Sequence, residues 1–297
     1  MAKRPNVKLT ERDIRLLVDL YKMRYLSVSE INRLCFPSEQ TTYRRLRLLK
    51  SHNLLKSFNA PGVDESIYYL AKGGAELVAA NLQVTMTELG WKEAVSVPKD
   101  YYFLKHFLAI NDFRISLTRS CDSSSVSLLG FIPEHLGVRT SKGGMMKYIR
   151  DIVSDVRRTR DDIRHTPDAV FALQNQGKAA LFFLEIDRGT EIVSNVEKGV
   201  LRSVRFYVSY LASGKYQRYA RDFRVDQFRG FRTLYVTTSH QRVENIRTTA
   251  SEFAAPQKAK QLLWISTFGD IEKRGPLDDV WLCLDKSEPR RFAILPK

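Results

Sequence analysis

Between His165 and Gly189 the sequence reads HTPDAVFALQNQGKAALFFLEIDRG, in which two apolar runs, PDAVFAL and AALFFLEID, are separated only by QNQGK. Apolar runs of this length bounded by breakers are strands, and the loop containing Gly177 joins them as an antiparallel hairpin. A hairpin sets the start of its first strand beside the end of its second, so Asp168 meets Glu185 and Asp187 at one edge. Alternation along the second strand turns Glu185 and Asp187 the same way, with Ile186 opposite. Carboxylates about 5 Å apart repel by roughly 3 kcal/mol per pair at an effective dielectric of about 20. A divalent cation, a basic side chain or protonation of one acid has to offset that repulsion.

The surroundings of the hairpin alternate in period. YFLKHFLAINDFRISLTRSC carries Phe103, Phe107, Ile110, Phe113 and Leu117 at helical spacing, and SVSLLGFIPEH is a strand. After the hairpin come a long helix from a cap at Thr190 to Gly214, the strand FRTLYVTTS, the helix HQRVENIRTTASEF and the strand QLLWISTF. The order predicts an α/β domain over residues 100–297, an antiparallel meander followed by crossovers in a mixed sheet flanked by helices. Two basic tracts lie inside it. YIRDIVSDVRRTRDDIRH mixes signs as an exposed, flexible connector that touches DNA or solvent. KYQRYARDFRVDQFRGFR interleaves Tyr, Phe and Arg, which suits either stacking on bases or packing aromatics under a loop with the arginines wet.

Residues 1–90 have a different character. Thr10 and Asp13 make a variant capping box ahead of Ile14, Leu17, Val18 and Tyr21, and SVSEINRLCF gives a second helix starting at Ser27 or Ser29. Past Pro37-Ser38, EQTTYRRLRLLKSHNLL is a third helix with Tyr43, Leu46 and Leu49 facing inward and Arg44, Arg45, Arg47 and Lys50 outward. LKSFNAPGVDESIYYL then reads as two strands about a turn at Pro61-Gly62, with another helix from Gly74. Three helices followed by a hairpin is the order of a winged helix-turn-helix, whose third helix enters the major groove of DNA. Gln40, Thr41, Thr42 and Arg44 are the candidates for base or phosphate contact, and Arg45, Arg47, Lys50 and Lys56 for phosphate. The breakers in TMTELGWKEAVSVPKDYY place a seam at residues 85–100.

Charge points the same way. The 297 residues carry a formal net charge of +15, a strong field for a polyanion, and double-stranded DNA is the expected partner. No apolar run is long enough to span a membrane and the N-terminus lacks a signal-peptide core, so a cytoplasmic protein without membrane contact is expected. Cys35, Cys121 and Cys283 are far apart with no CxxC pair, and read as packing residues rather than a disulfide framework or zinc site. Neither a covalent-nucleophile arrangement nor a Gly-rich phosphate loop is present. A homodimer is compatible with a winged helix, although no heptad seam enforces one.

Pro167-Asp168 and Glu185-Ile186-Asp187, in this strand order, resemble the PD-(D/E)xK phosphodiesterase superfamily. The resemblance implies a restriction-endonuclease-like domain with catalytic residues Asp168, Glu185 and Asp187, the three holding Mg2+ or Mn2+. Asp187 stands where the superfamily has lysine, and Lys198, in the following helix, is the candidate for a relocated one; Lys178 begins the second strand at its far end. His106 in the first helix and Glu134 in the first strand are further candidates, with His106 equally readable as a satisfied core residue, and His165 reads either as a hydrogen-bond partner of an acid or as an exposed strand-entry residue. Arg188, Arg164 or another base neutralising the acids is the competing reading, in which the fold only binds DNA.

Taken with HFLAINDFRISL and FRTLYVTTSHQRVENIR, these motifs resemble the replication-relaxation family of mobile-element proteins over most of the chain. That resemblance implies support of plasmid replication and DNA relaxation, with replication or relaxation proteins as partners. Three readings stay open at this point: a DNA-binding accessory factor with a degenerate nuclease-like domain, a metal-dependent endonuclease that nicks DNA, and a winged-helix transcriptional regulator.

Overall fold

The structure is a computed structural model; its described residues are 8–92, 101–139, 145–155, 162–189, 193, 199–253 and 260–295. Packing divides the chain into two units, Met1–Ile115 and Ser116–Lys297. The division falls inside a helix, Tyr101–Asp122, and not in the breaker-rich stretch ahead of it. The reason lies in that helix's first half. Leu104 and Phe107 enter an apolar cluster with Tyr25, Ala60 and Ile67, and the buried Asn111 amide donates to the carbonyls of Met23 (3.1 Å) and Tyr25 (2.7 Å).

The first unit contains α1 (Glu11–Met23), β1 (Leu26–Ser27), α2 (Val28–Cys35), α3 (Glu39–Ser51), β2 (Leu55–Phe58), β3 (Ile67–Leu70), α4 (Lys72–Leu82) and α5 (Met86–Leu89), followed by α6 (Tyr101–Asp122) up to Ile115. This is a winged helix-turn-helix. Thr10 caps α1 through a reciprocal box with Asp13, and Ser27, not Ser29, does the same for α2 with Glu30. The strands form one antiparallel sheet in the order β1-β3-β2. Leu16, Leu17, Leu20, Ile31, Leu46, Leu49 and Val78 are fully buried in the core between the helices. α4 passes so close to the start of β2 that a Cβ on Gly74 would sit 2.3 Å from the Leu54 carbonyl oxygen, which only glycine tolerates. The expected seam begins as the short helix α5, capped by Thr85 and Glu88, with Leu89 buried; residues 93–100 lie outside the described part.

In the second unit a six-stranded sheet runs β13-β12-β11-β10-β9-β4, built from β4 (Ser127–Pro133), β9 (Ala169–Asn175), β10 (Lys178–Ile186), β11 (Phe231–Thr237), β12 (Leu263–Thr267) and β13 (Leu282–Cys283). β4, β9 and β10 are the antiparallel meander, β10, β11 and β12 are parallel, and β13 returns antiparallel. The β9–β10 turn has Gln176 and Gly177 both at positive φ, as a two-residue primed turn requires. The crossover helices α7 (Val200–Ser213) and α9 (His240–Phe253) share one core with Leu181, Phe183 and Tyr235, and so cover one face of the sheet. On the other face, Phe131, Phe171 and Phe182 stack across β4, β9 and β10, and Arg232 next in register lies 4.0 Å from the ring centroid of Trp264. Such cross-strand pairs are what hold neighbouring strands in register.

Two hairpins inserted between β4 and β9 were not expected from the sequence: β5 (Gly137–Arg139) with β6 (Met145–Lys147), and β7 (Asp151–Ser154) with β8 (Asp162–His165). The mixed-sign tract is therefore not a flexible connector on either side of residues 156–161, which lie outside the described part. Alternation sorts its charges. Asp151 accepts from the Tyr210 hydroxyl (2.6 Å) and forms an ion pair with Arg218 (3.2 Å), the buried Asp155 pairs with Arg205 (2.5 Å), and Arg164 stays exposed. The aromatic-basic tract settles on its packing reading. It forms a 3₁₀ turn, Lys215–Gln217, and α8 (Arg218–Asp222), with Tyr216, Tyr219, Phe223 and Phe228 buried and the Arg218 guanidinium 4.5 Å over the Tyr219 ring. α7 opens at Gly199 and ends at Gly214 in the left-handed region; Thr190 and Lys198 lie outside the described part. Cys121 and Cys283 are buried, Cys35 is half-buried, and all are free thiols.

Candidate functional site

The hairpin register brings Asp168 and Glu185 together. The Asp168 N–H donates to the Leu184 carbonyl (3.0 Å), and Asp168 Oδ2 accepts from the Ile186 N–H (2.6 Å), which pins the carboxylate at the strand edge. Glu185 Oε1 accepts from His165 Nε2 (2.7 Å) and from the Tyr207 hydroxyl. Burial raises the Glu185 pKa, His165 opposes the rise and the Asp168 charge adds to it. Tyr207 is held well above the ordinary phenol range, by burial first and the Glu185 charge second, so its hydroxyl remains a donor. Glu134 joins the neighbourhood through its backbone: its N–H donates to the Asp168 carbonyl (2.8 Å), while its carboxylate takes Lys147 Nζ at 2.6 Å. His106 is half-buried in α6 and belongs to the first unit.

Asp187, one residue past β10, has other company. It is 2% exposed; Oδ2 accepts from Thr237 Oγ1 (2.9 Å) and Arg242 Nε (2.8 Å), and Oδ1 accepts from the Gly189 N–H (2.9 Å) and a second Arg242 nitrogen (3.2 Å). A two-nitrogen arginine clamp with a hydroxyl and an amide fills the acceptor capacity of a carboxylate. The base that neutralises it is thus Arg242 of α9, a base other than the Arg164 and Arg188 singled out by name in the sequence. A hard cation needs carboxylate oxygens left for it. Those of Asp187 are committed, and among the described residues no group of three or more His, Cys, Asp or Glu side chains is placed to hold a metal ion. The described residues do not fit the expected Mg2+ or Mn2+ site on Asp168, Glu185 and Asp187. Lys198 lies outside the described residues, and Lys178 pairs with Asn175 at the opposite end of β10.

On α3 the buried stripe is Thr42, Leu46 and Leu49, so the helix is rotated relative to the expected Tyr43, Leu46, Leu49 stripe. Thr42 is a correction in two respects: its side chain is fully buried, and its hydroxyl donates to Asn32 Oδ1 (2.8 Å) and sits 3.0 Å from the Ser38 carbonyl, so it offers nothing to DNA. Arg45 is likewise occupied. Its Nε donates to Asp13 Oδ1 (2.6 Å), a second nitrogen bonds the same carboxylate, and that nitrogen also reaches the Lys8 carbonyl (2.9 Å). Burial raises the Asp13 pKa and the Arg45 and Thr10 hydrogen bonds lower it, with the net shift downward.

The remaining candidates form the outer face. Gln40, Arg44, Arg47 and Lys50 are exposed, Thr41 is half-exposed, and Tyr43, 48% exposed, lies among them. Lys50 Nζ donates to Ser57 Oγ on β2 (2.7 Å), which draws the wing strand beside the helix, and Lys56 follows half-buried on that strand. The loop of the wing contributes acids instead: Glu65 accepts the Ser29 N–H at 2.6 Å, a bond that closes the loop onto α2.

The family described as Replication-relaxation matches residues 17–225, the winged helix and the second unit as far as the segment after α8. The chain belongs to the replication-relaxation family. The match stops ahead of β11, so Arg242 lies beyond it. No curated protein matches the chain. Among solved structures, the zinc-responsive MarR family member ZitR of Lactococcus lactis is 18% identical, covering 36% of this chain and 76% of that one with a TM-score of 0.23. A mutant form of it is 19% identical, covering 40% and 80%, also at 0.23. Superpositions that partial assign no residue a role.

Proposed function

We propose that this replication-relaxation family member binds double-stranded DNA through the outer face of α3 and serves as an accessory factor in replicating or relaxing a plasmid or other mobile element. The observation that carries the reading is the run Gln40, Arg44, Arg47 and Lys50 along one exposed face of the third helix of a winged helix-turn-helix, in a chain of net charge +15. Four cations reach phosphate from this unit: Arg44, Arg47 and Lys50 from α3 and Lys56 from the wing strand. Gln40, one turn earlier, presents an amide suited to a base edge. The acidic edge supports a scaffold role for the second unit: Asp187 is spent on Arg242, and Glu185 Oε1 is shared by His165 and Tyr207. Titrating labelled duplex DNA at low salt while following fluorescence anisotropy tests the reading. Saturable binding that weakens steeply with salt supports it, and absence of binding at low salt refutes it.

A further inference from the structure

Tyr43 is a large uncharged aromatic side chain on the outer face of α3, 48% exposed, with its phenol near that of Tyr68 on β3. The core side of α3 is complete without it, because Thr42, Leu46 and Leu49 fill that stripe. Tyr43 projects instead between Gln40, one turn before it, and Arg44 and Arg47 beside and after it. Side chains three and four apart on a helix are neighbours, so a helix laid in the major groove presents the Tyr43 ring and the Gln40 amide to adjacent positions. The chemistry of the two side chains is complementary to one kind of base pair. A glutamine amide bonds adenine bidentately at N6 and N7, and an apolar surface fits the C5-methyl of thymine, the only apolar group that a base shows in the major groove.

Resting on the reading of α3 as a DNA-contacting helix, we infer that Tyr43 is a specificity-determining residue that selects A·T pairs through the thymine methyl, with Gln40 taking the adenine. The flanking arginines set register on the phosphates and carry no sequence information, so removing the ring changes which duplex is bound more than whether one is bound.

A pool of duplexes with a randomised central segment, fractionated on the wild-type protein and sequenced, supplies the probe. The enriched duplex is then made again with deoxyuridine replacing each thymine in turn, which removes the methyl group and keeps every hydrogen-bonding atom. Wild type is expected to lose about fourfold in affinity at one substituted position, the worth of one buried methyl group. Tyr43→Ala is expected to be indifferent to that substitution, and Tyr43→Phe to respond as wild type does. Tyr43 is exposed, so neither variant threatens the fold, and circular dichroism checks this. Enrichment of no sequence over another, or equal sensitivity to deoxyuridine in wild type and Tyr43→Ala, overturns the inference while leaving DNA binding standing. Failure of the wild type to retain any duplex at low salt is a failure of the underlying reading instead.

Discussion

Arg242 clamps Asp187 with Nε 2.8 Å from Oδ2 and a second nitrogen 3.2 Å from Oδ1, joining the end of β10 to α9 across 55 residues of sequence. The acid that follows β10 is thereby a structural anchor of the sheet edge. Removing one partner of such a buried pair leaves a charge without compensation.

Arg242→Ala is therefore expected to destabilise the second unit by about 3 kcal/mol, seen as a lower urea midpoint at unchanged slope. Asp187→Leu combined with Arg242→Met, which leaves no stranded charge, recovers part of that loss. Equal midpoints for wild type and Arg242→Ala would show that the clamp contributes nothing.

The acids at the same edge are expected to be dispensable for DNA binding. Supercoiled plasmid incubated with the protein and Mg2+ or Mn2+ should stay uncut, and Asp168→Ala with Glu185→Ala should bind duplex as wild type does. Metal-dependent nicking lost in that double variant would make the edge a working nuclease site.

Glu30 supplies a pH dependence. Its carboxyl is buried between Ser27 and the Arg33–Asp112 pair, and burial pushes its pKa to about 8, with the Ser27 N–H and Arg33 opposing and Asp112 adding to the rise. The folded state thus holds a proton that the unfolded state releases in the ordinary carboxylate range. Stability falls as pH rises from that range to about 8 and is flat above it. Glu30→Gln, which mimics the neutral form, removes this slope, so it should gain on wild type between about pH 5 and about pH 8. Parallel pH dependences of the two urea midpoints would contradict the assignment.

Thr42 separates packing from DNA contact on α3. Thr42→Val leaves Asn32 Oδ1 without its donor and is expected to cost about 1–2 kcal/mol of stability with the salt dependence of DNA binding unchanged. A reduced salt slope in that variant would return Thr42 to the DNA-facing side.

The meander and its crossovers were legible because each run of PDAVFAL, AALFFLEI and FRTLYVT is a strand apolar on both faces, and the capping boxes at Thr10 and Ser27 are local. The β7–β8 hairpin was hidden because its inward acids, Asp151 and Asp155, find Arg218 and Arg205 more than 45 residues away, and read locally as solvated charge. Tyr43 and Thr42 exchanged places for a related reason. Hydrophobicity alone puts tyrosine in the core, but a threonine whose hydroxyl reaches Asn32 packs there at less volume. The juxtaposition of Asp168 and Glu185 followed from hairpin register, whereas the Asp187–Arg242 clamp has no periodic signal to announce it.

DNA binding through α3 is tested by the salt dependence of duplex affinity for wild type and for Arg44→Ala combined with Arg47→Ala. The wild-type plot of log affinity against log salt is expected to have a slope of about −3 to −4 from its four phosphate-reaching cations, and the double variant a slope shallower by about 2. A double variant with the wild-type slope and affinity would show instead that DNA is held by some other face of the protein.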